Sequence, residues 1–315
     1  MKKTLTVICP VYNEEEVIET FLSELRDVLD QLSASYESTI LLVVDRSSDR
    51  TLEILRNRAE SERSLRVLAL SSRFGHQMSL LAGIDNSDSD AVIMMDSDLQ
   101  HSPSLIPEMV NKFEMGYDIV YTIREDSPEI GFFKRLSSKL FYRMINLISQ
   151  VPINESAADF RLVSRRVAEI FQKQIRERNQ FLRGLFNWVG FKSIGISFQS
   201  RTRPAGKSKY SLGRMVSFAL HGMISFSKRP LQAAVLFGFL FAGFGLLNAF
   251  VTFLQFFFYR SLPSGWTTLT ILISMFSGVQ LIFLGIIGEY VSAIFDEVKA
   301  RPHYIIEEKV NFPDE

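Results

Sequence analysis

The chain has 315 residues, in which 35 Lys and Arg balance 35 Asp and Glu for no formal net charge. That balance argues against a general nucleic-acid binder, and the length leaves room for a full α/β domain and something more. A single cysteine, Cys9 in the first apolar run, excludes an intramolecular disulfide and fits a core position.

Lys2 and Lys3 precede the apolar run Leu5–Val11, which is too short for a signal-peptide core and is followed at once by polar residues, so no export signal is expected. From Thr4 to about Arg124 short β-rich runs alternate with helical segments. Strands are predicted at Leu5–Pro10, Thr39–Val44, Leu65–Leu70, Ala91–Asp96 and Asp118–Tyr121, with helices near 14–31, 50–62, 76–86 and 104–114. Such alternation predicts an α/β fold, a mainly parallel sheet covered on both faces. Neither a Gly-x-Gly-x-x-Gly nor a P-loop pattern follows the first strand, so neither of those nucleotide-binding folds is indicated.

Beyond Arg124 a basic helical segment is predicted around Phe132–Ile148, a helix near Gln180–Trp188 and a strand-like run at Lys192–Ser200. A basic loop, Arg201–Tyr210, follows, with Gly and Pro punctuation. Ser211 is placed to cap a helix to about Ser227, whose apolar stripe (Leu212, Met215, Val216, Ala219, Met223, Phe226) predicts an element lying at a membrane interface. Pro230–Tyr259 and Ser261–Gly288 contain no charged side chain, and each exceeds the roughly 20 residues that span hydrocarbon. The expected organisation is therefore a domain over 1–210, an interfacial amphipathic helix over 211–229, two transmembrane helices within 230–291 joined by an outer loop near 260–266, and a tail over 292–315. Lys228, Arg229, Lys299 and Arg301 flank the pair of spans while Arg260 lies between them, which puts the domain and both termini in the cytoplasm. Small residues at Gly238, Ala242, Gly243 and Gly245 suit helix contacts and a homo-oligomer.

The chemistry gathers at strand ends. The first predicted strand ends in Cys9-Pro-Val-Tyr-Asn-Glu-Glu15, the second in Asp45-Arg-Ser-Ser-Asp49, the fourth in Asp96-Ser-Asp98. Ligands bind at the carboxyl ends of strands in open α/β sheets, and two carboxylates one residue apart suit a hard divalent cation, Mg²⁺ or Mn²⁺, with positions left for phosphate oxygens. Alone, Asp-x-Asp is more often a solvated turn. Arg73, Arg124 and Arg135 supply cations, Tyr12 a stacking face, and Asp45 an acceptor for a base or ribose, so the crevice suits a nucleoside diphosphate. Asn13 also reads as an ordinary helix cap.

Five segments carry a resemblance: Pro10-Val-Tyr-Asn-Glu-Glu15, Asp45-x-Ser-x-Asp-x-Thr51, Met95-Asp-Ser-Asp-Leu-Gln-His101, Asp159-Phe-Arg-Leu162 and Arg203-x-x-Gly-x-Ser-Lys-Tyr210. Their order resembles that of the family 2 glycosyltransferases, and more narrowly the polyprenyl-phosphate glycosyltransferases, over nearly the whole chain. The resemblance implies a GT-A, Rossmann-like domain. It implies metal held by Asp96 and Asp98 with Gln100, the diphosphate held there with Ser97, and a nucleotide pocket of Pro10, Tyr12, Glu14 and Asp45. Phosphates of donor or lipid would meet Arg124, Arg135, Arg203 and Lys209, and Asp159 joins Asp98 as a catalytic carboxylate. One departure stands out: Val44-Asp45-Arg46-Ser47 replaces the family's usual Asp-Asp-Gly-Ser.

The implied reaction moves a hexose, with glucose from UDP-glucose the first expectation, from a nucleoside-diphosphate sugar to a polyprenyl phosphate, with inversion. The acceptor is largely anionic at neutral pH, so Asp159 is expected to orient it; a cap or an ion pair to Arg161 or Arg165 is the bland alternative. A processive synthase is disfavoured because Gln180-Phe-Leu-Arg183 is followed by Gly184 and only two spans are read. A non-catalytic membrane protein that binds sugar nucleotides is disfavoured because Asp96, Asp98, Asp159 and Arg203 occur together.

Overall fold

The computed structural model describes residues 2–124, 157–178, 180–198, 229–259 and 265–312. Their contacts divide into two units, one built on a sheet and including the chain from Arg301 onward, the other holding the long apolar helices.

The sheet unit opens with β1 (Lys3–Val11), buried on both faces from Leu5 onward, as a central parallel strand requires. Then follow α1 (Ile18–Leu32), β2 (Tyr36–Val44), α2 (Thr51–Ser61), β3 (Leu65–Leu70), α3 (His76–Asp85), β4 (Ala91–Met94), α4 (Ile106–Glu114) and β5 (Ile119–Arg124). The next described elements are β6 (Ala157–Ser164), α5 (Arg165–Lys173), α6 (Leu182–Trp188) and β7 (Ser193–Phe198). Strand β8 (Ile306–Val310) completes a single 8-stranded sheet ordered β7-β5-β6-β4-β1-β2-β3-β8. β1, β2, β3 and β4 run parallel, as does β5 with β7, whereas β6 and β8 are antiparallel to their neighbours.

Alternation along β1 sorts the two faces. Leu5, Val7, Cys9 and Val11 join Phe21, Leu22 and Leu25 of α1 and Ile106 and Met109 of α4 in one core. Ile8 points the other way, against α3, where Gly83 lies so close that an added Cβ would overlap Ile8 Cγ2. Cys9 is fully buried, as the sequence predicts.

The strand and helix predictions up to Arg124 hold within a few residues, and β7 matches the predicted run at 192–200. Two strands escaped the sequence reading. β6 was visible only as a motif, and β8 lies in what reads as a tail. The tail over 292–315 is corrected accordingly: the long helix Trp266–Lys299 is ended by Ala300 in the left-handed conformation (φ 48°), and the chain then enters the sheet beside β3. An edge strand with unpaired backbone groups is costly to leave bare, and β8 covers the open side of β3.

The other unit contains α7 (Arg229–Tyr259, 31 residues) and α8 (Trp266–Lys299, 34 residues). Phe239, Leu246, Leu281 and Ile282 among others are exposed along them, and Phe241 meets Phe276 edge to face at 5.8 Å. Added Cβ atoms at Gly238, Gly243 and Gly245 would meet nothing within 4 Å. Among the described residues one helical stretch, Met275–Lys299, is long and apolar enough to cross a membrane, and Ala234–Leu247 is a shorter apolar stretch. The predicted segment 132–148, the interfacial helix and the loop at 260–264 lie outside the described residues.

Candidate active site

The strand order places the carboxyl ends of β4, β1 and β2 side by side. Tyr12, Asp45 and Asp96 follow those ends directly or within two residues, as the sequence predicts. Antiparallel β6 adds what order along the chain does not reveal. Met94 at the end of β4 pairs with Arg161, so Asp159, two residues earlier in β6, is carried past the end of β4 to the same edge. Arg124, paired with Phe198 at the end of β5, is exposed at that edge.

Two loops at this edge are laced together. Asn13, at φ 53°, donates from its backbone to Ser47 Oγ and accepts from Ser48 N–H at 2.8 Å. Glu14 N–H donates to Thr51 Oγ1, and Arg50 N–H to Glu15. Asn13 is therefore not the cap of α1, which begins at Ile18 without a side-chain cap. The face of Tyr12 is covered by the Arg73 guanidinium, 4.2 Å from the ring centre. Arg46, the residue that departs from the family pattern, turns away to donate to the Ser71 carbonyl at 2.7 Å.

Asp45 is buried, and its two oxygens accept the backbone N–H groups of Phe74 and Gly75 at 2.8 and 2.9 Å. It thus fixes the turn that starts α3. Gly75 sits there at φ 88°, a conformation that favours glycine, and His76 is the first helical residue.

From that position His76 reaches both carboxylates. Its Nε2 donates to Asp96 Oδ1 at 2.7 Å, and its Nδ1 lies 4.0 Å from Asp159 Oδ2. His101 holds Asp96 from the other side: its Nδ1 accepts the Asp96 backbone N–H at 3.2 Å and lies 3.6 Å from Oδ2. The buried His101 ring stacks on Phe160 and meets Phe198 edge-on, 5.3 and 5.7 Å between centres. Between them the loop is set by Ser97, buried and donating to the Pro10 carbonyl at 3.0 Å, by Asp98, whose carboxylate accepts Gln100 N–H at 3.0 Å, and by Leu99 at φ 63°. A leucine with positive φ stores strain of order 1 kcal/mol, which the surrounding contacts hold in place.

Arg183 grips Asp159 with both ends of its fork, Nε to Oδ1 at 2.7 Å and Nη2 to Oδ2 at 2.8 Å. Arg161, buried over the Phe186 ring at 4.6 Å, lies 3.9 Å from the same carboxylate. Of the sequence alternatives for Asp159, the cap is replaced by a strand position and the ion pair to Arg161 is present at 3.9 Å, while Arg183 is the closer partner.

Desolvation would raise Asp159, but Arg183, then Arg161 and His76, hold it well below the usual carboxylate range. Asp96 is likewise desolvated yet lowered, chiefly by His76 and then His101, with the charge of Asp159 opposing. For His76 desolvation favours the neutral ring, and the hydrogen bond and charge of Asp96, with Asp159 behind, outweigh it and raise the imidazole. Desolvation lowers Arg161 to about 10 against the pull of Asp159.

Among the described residues no three His, Cys, Asp or Glu side chains form a group that encloses a cation. The donor set at Asp96 and Asp98 fits a hard divalent ion that keeps most of its positions for phosphate oxygens and water. Gln100 is the third expected ligand. Arg135, Arg203 and Lys209 lie outside the described residues. Motif reading gave no site role to His76, to His101, which ends the Met95–His101 segment, or to Arg183. A signal existed for His76, since Gly75-His76 opens a helix just after a strand end, where helix N-termini face the ligand edge. Arg183 offered none, because its partner is 24 positions away.

Residues 6–171 match the family model described as glycosyl transferase family 2. An uncharacterized glycosyltransferase of Bacillus subtilis (strain 168), YkcC, is 38% identical over 96% of this chain and 93% of its own. The SfII prophage-derived bactoprenol glucosyl transferase of Shigella flexneri is 35% identical over 96% of this chain and 97% of its own. A prophage bactoprenol glucosyl transferase homolog of Escherichia coli (strain K12) is 34% identical, with 96% and 98% covered. A cluster of carboxylates, histidines and arginines at the carboxyl edge of a mostly parallel sheet thus occurs in a chain that belongs to glycosyl transferase family 2, and the protein is a glycosyltransferase.

Proposed function

We propose that the enzyme transfers a hexose, glucose from UDP-glucose in the first instance, to the phosphate of a polyprenyl carrier with inversion at the anomeric carbon. The observation that carries this reading is the register of β6, which sets Asp159 and its arginine fork beside Asp96 at one edge. The near full-length similarity to bactoprenol glucosyl transferases supports the acceptor and the sugar.

In this reading Pro10, Tyr12, Glu14 and Asp45 line the nucleotide pocket. Asp96, Asp98 and Gln100 hold Mg²⁺ or Mn²⁺, with Ser97 shaping the loop. The chemistry such a cation supplies is neutralisation of the departing diphosphate. Arg124, Arg135, Arg203 and Lys209 take donor and lipid phosphates, to which the guanidinium fork is matched. A bond forms from an acceptor phosphate oxygen to the anomeric carbon as the bond to the diphosphate oxygen breaks. The second pKa of a phosphate monoester is about 6, so the acceptor arrives as an anion and needs no strong base. Asp159, held ionised by Arg183, suits orientation of the acceptor better than proton transfer.

Chain connectivity supports two spans. β8 follows both apolar helices yet pairs with β3, which precedes them, so the chain leaves the sheet and returns to it. A path that returns crosses a membrane an even number of times, which supports α7 as the partner span of α8. The basic residues flanking the pair favour the sheet unit and both termini on the cytoplasmic side. The small residues of α7 offer contacts for a homo-oligomer.

The test is transfer of radiolabelled sugar from a panel of UDP- and GDP-sugars to undecaprenyl phosphate by the purified protein, with Mg²⁺, Mn²⁺ or EDTA. Metal-dependent label in a lipid product from UDP-glucose is the expected result. No lipid product from any donor, with the protein folded, overturns it.

A further inference from the structure

Three observations meet at His76. It is the first residue of α3, and the turn before it is fixed by a buried carboxylate, since Asp45 accepts both Phe74 and Gly75 N–H. It hydrogen-bonds Asp96 Oδ1 at 2.7 Å, and its other ring nitrogen lies 4.0 Å from Asp159 Oδ2. Its side chain keeps 40% of its exposure, whereas His101, the other histidine on Asp96, keeps 8% and is packed between two phenylalanines. His101 accepts the Asp96 backbone N–H and lies 3.6 Å from Oδ2; His76 hydrogen-bonds the Asp96 carboxylate and also approaches Asp159.

We propose that His76 is a positioning residue that holds the Asp96 carboxylate in its cation-binding orientation and stands between Asp96 and Asp159, so that the donor and acceptor carboxylates stay separately aimed. Two neighbouring carboxylates repel; Arg183 already holds Asp159, and the imidazole meets Asp96 through Nε2 while its Nδ1 lies 4.0 Å from Asp159. The imidazole engages Oδ1 of Asp96; Oδ2, 3.6 Å from His101 Nδ1, is the oxygen assigned to a hard ion. A hydrogen bond that orients a ligating carboxylate is typically worth 10–100-fold in metal affinity or activity. The Asp45-capped turn gives this arrangement a further property: the residue that lines the proposed nucleotide pocket also fixes the helix start from which His76 acts.

This inference rests on the proposed sugar transfer, and its test separates the two. Full-length His76→Ala, His76→Gln and His76→Asn proteins, with Asp96→Ala as reference, are titrated with Mn²⁺ alone, the free ion being followed by electron paramagnetic resonance. Turnover is then measured for whichever donor the wild type uses. Expected is Mn²⁺ binding weakened about 10-fold or more in His76→Ala, with kcat lowered by a similar factor and thermal unfolding of the protein unchanged. His76→Gln, whose amide can still donate to Asp96, recovers part of both losses. Mn²⁺ binding and kcat within about twofold of wild type in His76→Ala overturn the inference, as does an equal loss in His76→Gln accompanied by a lower unfolding temperature, which marks a structural role. If the wild type transfers no sugar but its Asp96-dependent Mn²⁺ binding falls in His76→Ala and returns in His76→Gln, the positioning role stands and the proposed transfer fails.

Discussion

Arg183 and Asp159 form a two-point ion pair, Nε to Oδ1 at 2.7 Å and Nη2 to Oδ2 at 2.8 Å. The pair fixes the ionisation of Asp159 as well as its direction. A carboxylate lowered in the folded state gives stability that is fully present above its unfolded pKa of about 4 and is lost as pH falls through the folded value, so Asp159 stays ionised throughout the neutral range. The pH profile of wild-type kcat/KM between about pH 5 and 9 should then show an acid limb set by the acceptor phosphate, near 6, and none from Asp159.

Arg183→Ala removes the fork and leaves desolvation as the main influence on Asp159, which raises it. Turnover should fall about 10²-fold and a second acid limb should enter the profile; Arg183→Lys keeps the charge without the fork and should fall between. An Arg183→Ala enzyme with wild-type rate and profile would remove Asp159 from the acceptor site.

Asp96→Ala and Asp98→Ala should each reduce transfer to background while circular dichroism and unfolding temperature stay close to wild type, and EDTA should reproduce the loss in the unmodified enzyme. Retained activity in either variant would rule out the carboxylate pair as the cation site.

At the back of the sheet, Gly83→Ala should destabilise by about 1–3 kcal/mol, because the new methyl overlaps Ile8 and the strand beneath is packed on both sides. Chemical denaturation of the double variant with Ile8→Ala, which vacates the space, should show the two changes to be strongly non-additive.

The C-terminal strand is held by specific bonds. Tyr304 donates to Asp85 at 2.7 Å, beside the Arg176–Asp85 pair, and Asn311, at φ 62°, donates to the carbonyls of Glu62 and Leu65 at 2.8 and 2.6 Å. Asn311→Ala loses both bonds and must hold a left-handed backbone, so it should cost about 1–2 kcal/mol. Asn311→Gly loses the bonds alone and should cost less. Equal unfolding temperatures for wild type and Asn311→Ala would show that the strand does not depend on this anchor.

What the sequence by itself determined is the repeat of strands and helices and the chemistry at their ends. Continuous apolar runs such as Leu5–Val11 and Thr39–Val44 identify parallel strands because burial on both faces leaves no polar alternation. The carboxylates after them are legible because the strand end and the motif are adjacent in the chain. Asp159 was legible as a motif residue but not as part of a strand, since Ala157–Ser164 carries Asp159 and Arg161 within it and pairs only with partners distant in sequence. Only the tertiary structure decided that β6 enters antiparallel and brings Asp159 beside Asp96, that Arg183 grips it, that His76 stands between the two, and that the apparent tail is an edge strand. Local pattern cannot carry these facts, because each is a pairing between residues 20 or more positions apart, and such pairings are selected by the whole sheet.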